Sequence, residues 1–221
     1  MPHTQVRVAQ GEPVPPGDVL DMTEVERSQR ALDNLQYFGS LFLARKTTLH
    51  GVFLEVLGMG VLLTGDPAVG KSELALDLIT RGSRLVADDA PEFTRIAPDI
   101  ISGTCPPLLR EFLEVRGLGI LNIRAMFGDS AIKRTKYLRL IVHLKRMSSE
   151  QISGMDRLSG AHTNRDVLGV SVPQVTVPVA PGRNLAVLVE SAVRNHLLRL
   201  KGYDATEVLI ERQQQAILDQ P

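Results

Sequence analysis

The residues with the clearest chemical capacity are Gly65-Asp66-Pro67-Ala68-Val69-Gly70-Lys71-Ser72, a G-x-x-x-x-G-K-[ST] run. Gly65 and Gly70 let the backbone turn tightly, so that successive N–H groups and the next helix N-terminus converge on an anion. Lys71 then reaches the β/γ-phosphates of a nucleotide, and the Ser72 hydroxyl can hold Mg²⁺. Pro67 lacks an N–H and fixes its φ, and Ala68 is expected to be unable to take the positive φ open to glycine.

Asp88-Asp89 follows an apolar run, where a carboxylate at a strand's carboxyl end faces a metal or an incoming nucleophile. Neighbouring strand residues point to opposite faces, so at most one of the two faces the nucleotide unless the strand has already ended. Two adjacent acids allow one to serve the metal and the other to take a proton from an acceptor hydroxyl. Glu114 stands between Leu113 and Val115, a costly setting for a carboxylate without a metal or an arginine. Spacing alone does not single out His50, Arg157 or Arg183: a lone His is more often satisfied structurally, and surface charge is the ordinary fate of an Arg.

These groups need elements to hold them. Val61-Leu62-Leu63-Thr64 reads as the strand that delivers the loop, and Leu74, Ala75, Leu78 and Ile79 form the apolar stripe of the helix after it. That helix is expected to end at Arg81-Gly82, with a basic last turn and a glycine cap. Arg84 to Ala87 is the next strand, Leu113 to Leu121 follows, Leu138 to Leu144 reads as a buried strand, and Val170 to Val179 alternates. Leu185 to Leu200 carries apolar residues at 185, 188, 189, 192, 193, 197 and 200, a long amphipathic helix closed by Lys201-Gly202, and a last helix covers about 205–218. Ahead of the loop strand, residues 1 to about 20 have no periodicity and read as a mobile tail. The capping box Thr23-Glu24-Val25-Glu26 opens a short helix running to about Gln36, and Leu41–Leu43 and Thr47–Leu57 look like strand material. The expected organisation is a tail with a helix over 1–40 and one domain over 41–221. Strands outnumber helices in the middle without regular alternation, so the expected class is α/β, a mixed sheet with flanking helices and carboxy-terminal helices.

Composition narrows the function classes. The 221 residues carry 25 basic and 25 acidic side chains, a net charge of zero, which argues against bulk nucleic-acid or membrane-surface binding. Cys105 is the sole cysteine, which rules out an internal disulfide, fits a reducing compartment and reads as a small packed residue rather than a nucleophile. Glu55 and Asp66 interrupt the best apolar stretch, so no run approaches the roughly 20 residues of a membrane helix. A cytoplasmic location is expected.

Taken together, five blocks resemble bacterial HPr kinase/phosphorylase over about residues 41 to 215. They are Leu49-His50-Gly51-Val52; the loop Gly65 to Ser72; Arg81-Gly82 with Leu85-Val86-Ala87-Asp88-Asp89; Leu113-Glu114-Val115-Arg116-Gly117-Leu118-Gly119-Ile120; and Pro178 through Pro181-Gly182-Arg183-Asn184 to Val187. The resemblance implies a P-loop kinase fold of the HPr-kinase type that uses ATP to phosphorylate a serine of the phosphocarrier HPr. It also implies removal of that phosphate by inorganic phosphate, giving pyrophosphate, in a homohexamer. Carried over by motif, Lys71 binds phosphate, Ser72 and Glu114 bind Mg²⁺, and His50, Asp89 and Arg157 belong to the active site. Asp89 is the proton acceptor in the kinase direction and the acid in reverse. Arg183, ahead of the long helix, is expected to hold a phosphate.

Three departures accompany the resemblance. The family has a sizeable amino-terminal domain before the His-Gly strand, whereas about 49 residues precede it here, so most of that domain is expected to be missing through truncation or loss. The family loop usually reads Gly-Asp-Ser-Gly-x-Gly-Lys-Ser, so Pro67-Ala68 bears on nucleotide affinity. Ala180 stands where many members have Arg. Two other functions also suit a P-loop: a kinase of a small hydroxylated substrate, and a nucleotide-sensing regulatory oligomer without turnover.

Overall fold

The structure, a computed structural model, describes residues 25–33, 45–154 and 162–218. The expected tail, the strand material at 41–43 and Arg157 lie outside these residues. The chain divides between Ala44 and Arg45. Ahead of the division, 25–33 forms helix α1, in which Gln29 Nε2 donates to Asp33 Oδ1 at 3.2 Å.

In the second unit the strands are, in chain order, β1 (Lys46–Thr48), β2 (Val52–Val56), β3 (Met59–Gly65), β4 (Arg84–Ala87), β5 (Glu92–Ala97) and β6 (Ile100–Thr104). After them come β7 (Phe112–Val115), β8 (Gly119–Asn122), β9 (Thr135–Arg146), β10 (His162–Val167) and β11 (Val170–Val179). The helices are α2 (Lys71–Thr80), α3 (Ile123–Phe127), α4 (Ser149–Ser153), α5 (Leu185–Leu200) and α6 (Ala205–Leu218). Nine strands join one sheet, and β7 and β8 pair with each other as a separate hairpin. β3 and β11 run parallel to β9 and all other pairs are antiparallel, so the sheet is mixed, as expected.

Both faces of the sheet centre are covered. Val61 and Leu63 of β3 pack with Leu74 and Leu78 of α2 and Val189 and Val193 of α5, while Leu62 joins Phe53, Phe93 and Ile141 on the opposite face. Hence β2 is covered on both faces: every residue of it is buried, and Leu57 just after it is exposed. Glu55 is buried with the rest because Arg84 and Lys136 close on its carboxylate, Lys136 Nζ at 2.6 Å. Burial pushes that carboxyl up, but its hydrogen bonds to Lys136 and Arg84 outweigh this and leave it below the usual range.

Some boundaries differ from expectation for local reasons. Arg81 is the C-cap of α2 rather than part of its last turn. Leu113 to Leu121 is no single element, because the chain reverses between β7 and β8. β9 extends to both sides of the apolar segment Leu138–Leu144. Leu200 of α5 is exposed, and Ala186 is buried in the stripe instead. β10, exposed except at Val167, gives no apolar signal at all.

Gly51 joins β1 to β2 with φ +155°, and its amide donates to the Asp89 carbonyl at 3.2 Å. A Cβ there would sit 2.3 Å from the Leu63 carbonyl oxygen of the neighbouring strand. Gly51→Ala is therefore expected to cost about 1–3 kcal/mol, as overpacking does. Urea unfolding checks this, and a stability equal to that of the native chain would refute the close-packing argument.

Candidate active site

β3 ends at Gly65, and the loop from Asp66 to Gly70 leads directly into α2. Gly70 is the N-cap and provides no side-chain cap, so the first-turn N–H groups of α2 are left to an external acceptor. Lys71 Nζ donates back to the carbonyl oxygens of Gly65 at 3.0 Å and Asp66 at 3.1 Å, which holds the ammonium against the loop. Val69 is buried in the core and anchors the loop, whereas Asp66, Pro67 and Ala68 are exposed.

Ala68 corrects the sequence expectation: it does adopt a left-handed backbone, with φ 60°. An L-residue pays about 1–2 kcal/mol for this conformation. Arg146, at the end of β9, donates through Nη2 to the Ala68 carbonyl, a tether that favours this geometry. Ala68 thus takes the loop shape at that cost, and Pro67 adds the loss of one N–H.

β4 stops at Ala87, before both acids, and the chain turns at Asp89, which has φ 61°. The strand having ended, Asp88 and Asp89 line the same cavity of about 250 Å³, together with His50, Lys71, Ser72 and Glu114. Asp89 Oδ1 lies 2.9 Å from His50 Nδ1, both side chains being largely exposed. Asp88 is half-buried, and its Oδ2 accepts the Glu114 N–H at 2.9 Å. Burial pushes the Asp88 carboxyl above the usual range, and the amides of Glu114 and Asp89 pull against it.

Glu114 is also corrected. Leu113 and Val115 of β7 point into the core, and the strand period places Glu114 between them on the exposed side, facing the cavity. It requires no buried counter-cation. Ser72 and Glu114 offer hard oxygen donors, and among the described residues no three His, Cys, Asp or Glu side chains gather into a protein-only metal cage. This donor set suits Mg²⁺, which binds through one or two protein oxygens plus phosphates and water.

Not every expected residue converges. Arg183 lies outside the cavity, in a neighbouring groove shared with Gly70, Glu73 and Asp77 along the start of α2. Glu73 and Arg116 also line the cavity without having been singled out. Arg116 sits in the quoted Glu-Val-Arg-Gly block and was within reach of the sequence. Arg146 was not, because nothing near it in the chain marks its contact 78 residues back.

The family model "HPr Serine kinase C-terminal domain" matches residues 42–213. Proteins named HPr kinase/phosphorylase from Xanthomonas campestris pv. campestris (strain B100) and Xanthomonas oryzae pv. oryzae (strain PXO99A) are each 57% identical over 188 residues. Those alignments cover 85% of this chain and 60% of each relative, so the chain spans about three fifths of the length of the curated relatives it matches. The solved HPr(Ser) kinase/phosphatase from Coxiella burnetii superposes with a TM-score of 0.66 at 35% identity, covering 74% of this chain and 98% of that one.

The environment of Asp88 has a consequence for stability. Its raised carboxyl binds a proton more tightly folded than unfolded, so the folded chain gives up stability as pH rises through that raised value. Asn keeps an acceptor for the Glu114 amide and carries no charge. Asp88→Asn is expected to raise the thermal midpoint at pH 7, with the gain fading as pH falls towards about 4, where Asp protonates even in the unfolded chain. Scanning calorimetry at the two pH values tests this; a lowered midpoint at pH 7 would contradict it.

Proposed function

We propose a function that starts from one fact: the chain belongs to the HPr Serine kinase C-terminal domain family. It transfers the γ-phosphoryl group of ATP to a serine hydroxyl of an HPr-like phosphocarrier protein, and it removes that phosphate with inorganic phosphate. The observation that supports this best is the convergence of Lys71, Ser72, Asp88, Asp89 and Glu114 on one cavity, with His50 in contact with Asp89.

In the forward direction the loop amides and the first turn of α2 bind the nucleotide phosphates, and Lys71 compensates charge on the group in transfer. Asp89, oriented by His50, takes the serine proton as Oγ bonds to phosphorus and the bond to the bridging β-phosphate oxygen breaks. Asp88 holds the Glu114 amide and so keeps β7 in place beside the loop. Mg²⁺ held by Ser72 and Glu114 supplies neutralisation of phosphate charge when bound. In reverse, inorganic phosphate attacks the phosphoserine phosphorus, the Oγ–P bond breaks, and protonated Asp89 returns the proton to Oγ. Arg157 belongs to the same reading as an active-site residue, and Arg183 as a phosphate-side residue from its adjoining groove. A cytoplasmic homohexamer completes it. The described helices include none long and apolar enough to cross a membrane.

The test is incubation with γ-labelled ATP, Mg²⁺ and purified HPr, followed by location of the label. Label on a serine of HPr is expected; label on a small molecule, or nucleotide binding without transfer, overturns the reading. Two variants sharpen it. Lys71→Ala is expected to leave less than a few per cent of transfer in both directions, because phosphate charge loses its compensating ammonium. Asp89→Asn is expected to retain nucleotide affinity while the transfer rate falls by about 10²–10⁴, the usual contribution of a general base. If Asp88→Asn were inactive and Asp89→Asn active, the two acids would have to exchange roles.

A further inference from the structure

A second cavity, of about 300 Å³, shares no lining residue with the P-loop cavity. Its floor is Val86 and Cys105, both buried. Around it stand Arg110, Arg124, Lys133 and Arg134, against only two carboxylates, Glu111 and Asp129. Both acids are taken by one cation: Arg124 pairs with Glu111 at 2.9 Å and with Asp129. Among the described residues no carboxylate pairs with Arg110, Lys133 or Arg134. Lys133 is half-buried, and its segment is fixed against β4 by the Lys133 amide donating to the Leu85 carbonyl at 2.8 Å and by a bridge between Leu85 and Ile132.

This is an unusual disposition in a chain whose charges balance overall. Positive side chains gathered around a concavity repel one another, and an anion among them relieves that repulsion. Cys105 is no such anion: burial pushes its thiol up to about 11, so it stays neutral. The excess of two positive charges matches a phosphate monoester, which carries about −1.5 to −2 at neutral pH. Guanidinium groups add bidentate recognition of phosphate oxygens. A cavity of this size admits a small molecule rather than a protein segment.

We propose that this cavity, distinct from the P-loop cavity, binds a small phosphate-bearing molecule through Arg110, Lys133 and Arg134. Val86 floors this cavity and Asp88, two residues on, lines the other, so β4 and its carboxyl end connect the two. The site does not depend on which acceptor the P-loop cavity serves.

Inorganic phosphate and methyl phosphate serve as probes, titrated calorimetrically into the whole chain without Mg²⁺ or nucleotide. Lys71→Ala weakens the P-loop contribution and is expected still to bind both probes at the second cavity. Adding Lys133→Gln with Arg134→Gln to that chain is expected to weaken this binding by about tenfold or more, as loss of charged hydrogen bonds does. Absence of phosphate binding to Lys71→Ala overturns the proposal. So does unchanged binding after the Lys133 and Arg134 substitutions. The transfer assay on HPr, run with Lys133 and Arg134 intact, reports separately on the kinase reading.

Discussion

The parallel pairing of β3 with β9 governs the geometry of the cavity. Its register runs to Gly65 opposite Leu144, and at that last step a Cβ on residue 65 would fall 2.4 Å from the Leu144 carbonyl oxygen. The strand can therefore continue to its carboxyl end at full sheet spacing before the loop departs. β9 continues two residues beyond Leu144 to Arg146, which reaches back to the Ala68 carbonyl. One strand thus fixes both the origin of the phosphate loop and the backbone shape of its middle. The covering of both sheet faces, by α2 and α5 on one and by the Phe53 and Phe93 edge-to-face pair on the other, keeps that register from slipping.

The two acids show how adjacent identical side chains acquire different chemistry from their surroundings. Asp89, in a left-handed turn and open to solvent, is free to meet an acceptor while His50 fixes its orientation. Asp88, one residue earlier, is withdrawn from solvent and spends a carboxylate oxygen on the backbone of β7. The second is a structural tie between sheet and hairpin, and its raised proton affinity reflects the cost of keeping a charge there.

Much of this was legible in the sequence because the signals are local. The Gly65–Ser72 run, the stripe of α2 and the alternation of β11 announce themselves within a few residues, and they appear where periodicity puts them. The convergence of Asp88 and Asp89 depended on where β4 ends, which strand propensity leaves open by a residue or two and which decides whether one or both acids face the cavity. Glu114 read as a buried charge because its neighbours are apolar; only the formation of an isolated hairpin, with one face free, turns the same alternation into an exposed carboxylate. Ala68 was misjudged because glycine preference is an energetic bias of about 1–2 kcal/mol, small enough for a tertiary hydrogen bond to offset. The contact that offsets it spans 78 residues and has no local signature.

The separation of the β7–β8 hairpin from the main sheet gives the cavity two differently supported walls. β9 lies in the interior of the nine-stranded sheet, and the phosphate loop hangs from β3 beside it. The hairpin has one partner strand for each of its own, Phe112, Leu118 and Ile120 in water, and the Asp88 carboxylate as a tie to the sheet. Leu113 and Val115 hold its other face in the core. The wall that carries Lys71 and Ser72 is thus braced by strands on both sides of β3, and the wall that carries Glu114 and Arg116 by a two-stranded hairpin with one face open, so the hairpin is the less constrained of the two.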